Sequence, residues 1–429
     1  MKPNRRGKVL VLGNDTRSFL SVIRSLGRKG LEVHVAWCDP HCPSRFSRYV
    51  KKFHAVPGYS PGGQEWQKVL REVMAAESFD LVIPCNDQSI IPLQEKRKVF
   101  EELSRIYLLE DEVFRIVNDK YRSWELAKNL EIPVPRGFRA ESWDEYREAV
   151  QKVRFPVVLK PLFSFTSKDI RFRQEMRKAA DLRQAERIAR ELLGRGPILV
   201  QENFIGFGAG VELIADEGEI LTAFQHERVH EPLQGGGSSY RKSVKLDRDL
   251  YRASEKMIRK LNYRGVAMVE FKIHPRTREW VFMEINGRFW GSLPLAIAAG
   301  ADFPWYLYEL WVRGERNFSR SYRLDLYGRN WTLDIEWFRA NLQADHTDPL
   351  LLTIPIAKAL SEWKNVVLMR EKSDTLVMDD PLPGIRDMLY YGAEKIQGIN
   401  RKIRRKCLGL GFVRRRFQRR IDERLTRGN

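Results

Sequence analysis

The sequence has few cysteines and no uncharged apolar segment long enough to span a membrane, and both absences restrict its class. Four cysteines in 429 residues do not make a disulfide framework, so a reducing compartment is expected. The apolar stretch at residues 9–12 is too short for the core of a signal peptide. The apolar segment 289–311 contains Asp302, Glu309 and two prolines, which predicts buried loop and helix. A soluble, cytoplasmic protein is therefore expected.

Two further motifs are missing. His34, Cys38, His41 and Cys42 suggest zinc, but no second ligand pair follows at a regular spacing, so a metal-free segment is the favoured interpretation. The turn after the first apolar run reads GNDTRSF and lacks the GxGxxG pattern. No dinucleotide site is predicted there.

Acidic residues are the minority, and the imbalance is concentrated at the C-terminus. The chain has 75 Lys and Arg against 56 Asp and Glu, a net charge of +19, and residues 401–429 alone carry +10. Apolar residues recur there at helical spacing, which predicts a basic amphipathic helix. Three interpretations stay open: contact with an anionic membrane, binding of nucleic acid, and packing on the protein itself. Aromatic residues are not interleaved with the basic ones, so nucleic acid is the least favoured.

Strand and helix patterns divide the chain into an α/β part followed by an α+β part. Residues 8–115 alternate apolar strand runs with helical patterns, a βαβαβ order typical of a doubly wound, Rossmann-like unit. Strands and helices are segregated in the second part, up to about residue 315. The rest is predicted to be a mixed region that ends in helix.

The clearest chemical signal is a predicted hairpin with the sequence GVAMVEFKIHPRTREWVFMEINGRFWG. If it closes at His274 and Trp280, Glu270 lies opposite Glu284, and Asn286 lies on the same face as Glu284. Like charges directly opposite each other destabilise a sheet unless a cation or a shared proton lies between them.

Two carboxylates and an amide oxygen form a site of hard oxygen ligands that suits Mg²⁺. Arg288 follows closely and is placed to meet phosphate charge. The alternative, in which Glu270 and Glu284 face solvent, stays open because a slip of one residue exchanges the two faces of a strand.

Two lysines and one strand add to this signal. Lys160 ends an apolar strand and Lys120 begins a helix, and an ammonium group at either place can neutralise phosphate oxygens, although most lysines simply face solvent. The segment ILVQENFIGFGAG predicts a buried strand that enters a glycine-rich bend, where Phe204 and Ile205 would offer apolar contact to an adenine ring. An ordinary strand and turn is the alternative.

A second glycine-rich segment, residues 235–239, has the composition of a flexible loop that covers phosphate. Arg241 follows it, and His226, Arg228 and His230 share one face of the preceding strand. A mobile surface hairpin is the alternative interpretation.

The ordered set of these features resembles the ATP-grasp family, which includes biotin carboxylase, D-alanine–D-alanine ligase and the carbamoyl-phosphate synthase large subunit. The stretches QHERVHEPLQGGGSSYRKSV and VEFKIHPRTREWVFMEINGRFWGSLPLAIAAGADFP resemble its carboxylate–amine ligase-like branch in particular. The resemblance covers roughly residues 8–315. It implies a pre-ATP-grasp domain over 1–115, a two-lobed ATP-grasp domain over 116–315, an accessory region over 316–400 and a basic tail over 401–429.

The resemblance also implies roles for individual residues. ATP would be bound by Lys120, Lys160, Glu202, Asn203, Phe204, Ile205 and Glu212, of which Glu212 would contact the ribose. Mg²⁺, with Mn²⁺ as a second candidate, would be held by Glu270, Glu284 and Asn286. Catalysis would involve Arg288, Lys160 and Arg241, with Arg241 and Arg228 as candidates for gripping the substrate carboxylate. The family usually has proline where this chain has Gly287.

The implied reaction is ATP-dependent amide formation. A substrate carboxylate would be phosphorylated to an acyl phosphate, which an amine attacks to release phosphate. A non-catalytic nucleotide-binding module is the alternative function. A homodimer and a location at the inner face of the membrane are further expectations.

Overall fold

Within the described residues, three β-sheets organise the protein, and the first is a four-stranded parallel sheet near the N-terminus. The computed structural model describes residues 7–168, 170–393 and 395. The strand order is β3-β2-β1-β4. Its elements are β1 (Lys8–Leu12), α1 (Ser18–Arg28), β2 (Glu32–Ala36), β3 (Val50–His54), α2 (Glu65–Glu77), β4 (Leu81–Pro84), α3 (Asp87–Glu95) and α4 (Arg97–Glu101). The apolar runs of β1 and β4 are buried, as expected for a parallel sheet covered on both faces.

The sequence analysis missed the edge strand β3. Its sequence VKKFH carries two exposed lysines and has no continuous apolar run. Charged side chains of this kind are common on edge strands, because they discourage pairing with other chains. The local pattern therefore gave no strand signal.

Two further sheets follow. One has four strands in the order β5-β8-β6-β7, and the other has seven in the order β13-β12-β9-β10-β11-β14-β15. The strands are β5 (Gly137–Ala140), β6 (Val157–Pro161), β7 (Arg177–Ala179), β8 (Ile198–Glu202), β9 (Phe207–Asp216), β10 (Glu219–His230), β11 (Tyr240–Val244), β12 (Gly265–Ile273), β13 (Trp280–Asn286), β14 (Tyr327–Arg329) and β15 (Glu371–Ser373).

Helices cover these sheets and join them. They are α5 (Asp111–Asn118), α6 (Lys120–Asn129), α7 (Trp143–Gln151), α8 (Leu182–Leu193), α9 (Arg248–Lys260), α10 (Leu293–Ala299), α11 (Phe303–Tyr308), α12 (Trp331–Gln343), α13 (Ile356–Ser361) and α14 (Lys364–Val367). A last helix begins at residue 381. The apolar segment 289–311 forms α10, α11 and the start of a short π-helix. Within the described residues, no helix is long and apolar enough to cross a membrane.

The mixed α/β class is confirmed, whereas the domain limits stay a prediction. Strands β14 and β15 come after residue 315 and yet extend the seven-stranded sheet. The region that follows the predicted ATP-grasp domain is therefore joined to it by backbone hydrogen bonds. The basic tail, residues 401–429, lies outside the described residues.

The potential metal ligands near residue 38 do not assemble as a set. In the described part of the chain, the cluster that converges is His34, His54 and Glu77. Its members are already paired: His34 Nδ1 lies 2.9 Å from His54 Nε2, and Glu77 binds Lys8 at 3.0 Å and also Lys52. This cluster is a satisfied polar network.

Candidate active site

The two acidic residues of the hairpin pair as predicted, although the hairpin closes one residue away from the expected place. Ile273, not His274, pairs with Trp280. A β-bulge at Met283 then shifts the register, so that Glu270 and Glu284 lie directly opposite each other. The predicted pair is therefore correct because the bulge compensates for the wrong closing pair.

A cavity of about 290 Å³ lies between the four-stranded sheet β5-β8-β6-β7 and the seven-stranded sheet. Glu270 and Glu284 form part of its wall. Lys120 and Lys160 line the same cavity. The structure thus brings together two carboxylates and two ammonium groups that are up to 164 positions apart in sequence.

The electrostatics of the cavity depend on burial and on charge pairing. Burial lowers the pKa of Lys160 to about 8, although Glu284 opposes the shift. Burial also lowers the pKa of Lys120, whose Nζ donates to Ser164 Oγ at 2.8 Å. Burial alone would raise the pKa of Glu284, but Lys120 and other nearby cations outweigh it and the pKa is lowered. The carboxylate is therefore ionised at neutral pH.

The predicted adenine strand reaches the cavity only in part. Glu202, Asn203 and Phe204 line it, whereas Ile205 is 53% exposed and does not. Glu212 also lies outside the cavity lining. Its carboxylate is completely buried and accepts a hydrogen bond from Ser292 Oγ at 2.6 Å, because the segment that follows β13 packs over the middle of β9.

One of the predicted metal ligands, Glu270, is already paired with Arg228. Its Nη2 lies 2.6 Å from Glu270 Oε2, and its Nη1 donates to Glu231 at 3.3 Å. Burial would lower the pKa of Arg228, but the two carboxylates outweigh burial and raise the pKa above its usual value. The charged guanidinium is therefore the counter-ion of Glu270 in this structure.

Asn286 and Arg288 line a second cavity, of about 40 Å³, which shares Lys120, Ser164 and Glu284 with the first. Arg288 forms two hydrogen bonds of 2.9 Å to the carboxylate of Asp87, at the start of α3. Burial would raise the pKa of Asp87, but Arg288 lowers it. The N-terminal sheet thus supplies a carboxylate beside the predicted metal ligands.

Close packing explains the glycine at position 287. A Cβ atom there would lie 2.6 Å from Leu109 Cδ1 and 2.9 Å from Val117 Cγ2. Neither a proline nor an alanine fits without displacement of these side chains. Glycine in place of the family's proline is therefore explained by the side chains that pack against this position.

The glycine-rich loop borders the first cavity. Gly235 and Gly236 line it, with φ values of 93° and 88°, a region that favours glycine. Arg241, in contrast, is fully buried beyond the loop and is paired with Asp374. The structure therefore does not bring Arg241 to this cavity.

A charged network holds the end of the loop to the C-terminal region. His230 Nδ1 lies 2.7 Å from Asp334, its Nε2 lies 2.5 Å from Glu362, and its ring stacks on Trp337 at 3.5 Å. Ser239 Oγ donates to Asp334 at 2.7 Å. Burial would lower the pKa of His230, but the two carboxylates raise it.

Sequence reasoning missed several residues of the cavity wall. Lys272 lies two positions after Glu270 on the same face of β12, so strand alternation could have identified it. Lys178, on the short β7, gave no such signal; burial lowers its pKa to about 8. Arg173 and Glu231 come from loops, and local sequence does not locate such residues in space.

Comparison with known proteins finds sequence relatives that include an ATP-binding domain family. Residues 119–303 match the family model of the carbamoyl-phosphate synthase L chain, ATP binding domain. These residues form an ATP-grasp domain. The chain is 21% identical over 344 residues to a D-aspartate ligase of Enterococcus faecium, a match that covers 75% of this chain and 79% of the relative.

Solved structures share the fold of this chain. Biotin carboxylase from Campylobacter jejuni aligns with a TM-score of 0.60 and 13% identity, covering 75% of this chain and 74% of the other. An L-amino acid ligase from Bacillus licheniformis aligns with a TM-score of 0.54 and 13% identity, covering 76% and 79%. At this identity the likeness shows the fold alone.

Proposed function

We propose that the protein is an ATP- and Mg²⁺-dependent ligase that activates a substrate carboxylate as an acyl phosphate and joins it to an amine. The observation that carries the proposal is the Glu270–Glu284 pair, which faces Lys120 and Lys160 across one cavity. The relatives named D-aspartate ligase and L-amino acid ligase support this reaction class. The products would be an amide, ADP and phosphate.

The donor set fits a hydrated Mg²⁺ ion. Glu270, Glu284 and Asn286 supply hard oxygen atoms, and such sites leave positions for water and phosphate. Asn286 Nδ2 lies 3.4 Å from Glu284 Oε1, so these two side chains already lie together. In this proposal the metal replaces Arg228 as the counter-ion of Glu270.

The nucleotide would lie along the first cavity. Lys120 and Lys160 neutralise phosphate oxygens, and Glu202, Asn203 and Phe204 border the adenine. Bound Mg·ATP supplies the phosphoryl group. Ile205 and Glu212 have no part in this version of the site because of their positions.

The chain's own contribution is alignment and charge neutralisation, which phosphoryl transfer requires. Arg288 would stabilise negative charge on the transferred group, and Asp87 holds its guanidinium before that group binds. The loop that contains Gly235 and Gly236 would exclude water, which hydrolyses acyl phosphates.

The test is ADP release with Mg·ATP and pools of amino acids, peptides and sugar acids. We expect release that depends on a substrate and falls about 100-fold in Glu284→Gln. Glu279→Gln is the matched control, since Glu279 is an exposed glutamate in the turn of the same hairpin. Binding of Mg·ATP without release in any pool would instead support the non-catalytic module.

Other assignments follow from sequence and remain proposals. The protein would work in the cytoplasm, with the tail at 401–429 on an anionic membrane, and a homodimer is proposed as well. Sedimentation with vesicles that contain or lack anionic lipid tests the membrane contact. Deletion of the tail should abolish any co-sedimentation.

A further inference from the structure

Arg17 and Arg241 have no place in the nucleotide site proposed above, and the charge of Arg241 acts on Arg17. Arg17 immediately precedes α1, and Arg241 lies on β11. Neither lines the nucleotide cavity. Their surroundings indicate a separate anion site.

Arg241 has more hydrogen-bond donors than acceptors around it. The residue is completely buried, and one nitrogen, Nη2, is paired with Asp374. Its Nε and Nη1 are buried with no acceptor among the described residues, and the second oxygen of Asp374 also lacks a donor there. Buried guanidinium donors without acceptors are costly, so an acceptor from outside the chain would complete this group.

Arg17 is a partly exposed second cation in this region. Within the described residues, its guanidinium makes no hydrogen bond or ion pair, and it packs against the backbone of Gly291. A Cβ atom at Gly291 would lie 2.7 Å from Arg17 Cζ. Burial lowers the pKa of Arg17, Asp15 opposes this, and Arg241 lowers it further. The charge of Arg241 thus acts on Arg17, and α1, which Arg17 precedes, contacts Asp374, the partner of Arg241, through Arg24.

Arg17 is connected with the proposed nucleotide site through Gly291 and Arg173. Gly291, against which Arg17 packs, is three residues after Arg288. Arg173 lines the nucleotide cavity and acts electrostatically on both Arg17 and Lys120. Arg17 also follows β1, at the carboxyl edge of the parallel sheet, where open α/β sheets bind ligands.

The nearby acids do not balance this charge. Asp15 is the closest anion by its effect on Arg17, but its carboxylate already accepts from the backbone of Arg17 and Phe19 and from Ser18 Oγ. Asp374 binds Arg241 through one oxygen only. The site thus keeps free donors for one more anionic group.

We propose that Arg17 and Arg241 bind a carboxylate of the substrate that is not the one being phosphorylated. The inference rests on the proposed ligase function and narrows its substrate class to dicarboxylic acids and acidic amino acids. Asp374 fixes the orientation of the Arg241 guanidinium before that carboxylate binds.

The first test compares acids with their neutral amides in the ADP-release assay. Aspartate and glutamate, in both configurations, should be used at least tenfold more efficiently than asparagine and glutamine. Arg17→Gln should raise the KM for the acid at least tenfold with little change in the KM for ATP, and Arg17→Lys should restore part of the loss. Arg28→Gln is the control, because Arg28 is a more exposed arginine of the same helix, paired with Asp379.

Binding by calorimetry separates this inference from the proposed reaction. With Mg·ADP present, wild type should bind aspartate or succinate, and Arg17→Gln should bind it at least tenfold more weakly with unchanged ADP affinity. Such binding without turnover of any substrate would overturn the ligase but support the anion site. Equal use of acids and amides, or no binding of any dicarboxylate in the panel, would overturn the anion site.

Discussion

Replacement of His230 should loosen the connection between the glycine-rich loop and the C-terminal region. His230 is 2% exposed and lies between the carboxylates of Asp334 and Glu362. His230→Gln removes the cation and leaves two buried acids with less compensation. Loss of one partner from a buried ion pair costs about 3–5 kcal/mol.

The pH dependence of this contribution has a definite sign. The two carboxylates raise the pKa of His230 above the 6.5 of an ordinary histidine. The folded state therefore binds the proton more tightly than the unfolded state. The stabilisation is fully present below pH 6.5 and is lost as the pH rises through the folded-state pKa.

Hydrogen–deuterium exchange measures this effect locally, which suits a chain of several parts. Amides of residues 227–240 should exchange between about a hundredfold and a few thousandfold faster in His230→Gln at pH 6. The difference from wild type should shrink as the pH rises. His41→Gln, which changes an exposed histidine, should have no effect. A local loss below about 1 kcal/mol, or a difference that grows with pH, would refute the reasoning.

Three further predictions concern other parts of the molecule. The affinity for Mg·ATP should fall as the pH rises through about 8, where Lys160 loses its proton, and Lys160→Arg should remove this inflection in a binding titration. Gly287→Ala should lower the free energy of unfolding by about 1–3 kcal/mol in urea, because its Cβ would contact Leu109; no loss would mean that the core yields easily. Arg24→Met should cost about 3–5 kcal/mol, since the buried Arg24 is paired with an aspartate of the C-terminal region, whereas Arg28→Met, at a more exposed pair, should cost under about 1 kcal/mol.

The hairpin could be predicted from sequence because its information is local. Strand alternation and a short turn place Glu270 near Glu284 within a residue or two of register. The bulge at Met283 could not be predicted, since it depends on packing along the whole strand. The predicted pair is thus correct partly because two errors cancel: the wrong closing pair of the hairpin and the unpredicted bulge.

The roles of Glu212, Ile205 and Arg241 depend on distant segments, which local patterns do not place. Ser292 covers Glu212, although 80 residues separate them. Arg241 is paired with Asp374, 133 residues later, in a region with few recognisable sequence patterns. Whether a polar strand residue faces a ligand or an internal partner is decided by the element that packs over it.

The internal ion pairs suggest how the cavity accepts so much charge. Arg228 neutralises Glu270, and Asp87 neutralises Arg288, before any ligand is present. In the proposed reaction a metal takes over Glu270 and a phosphate takes over Arg288, so each new contact replaces an existing one. The net gain per contact is then modest, because an internal pair is lost whenever a ligand pair forms. The binding free energy of metal and nucleotide together would exceed the sum of their separate values, since the metal that replaces Arg228 at Glu270 also contacts the phosphates. Binding of ATP should therefore weaken strongly without Mg²⁺, and Arg228→Gln should increase that dependence, because Glu270 then has no arginine as counter-ion.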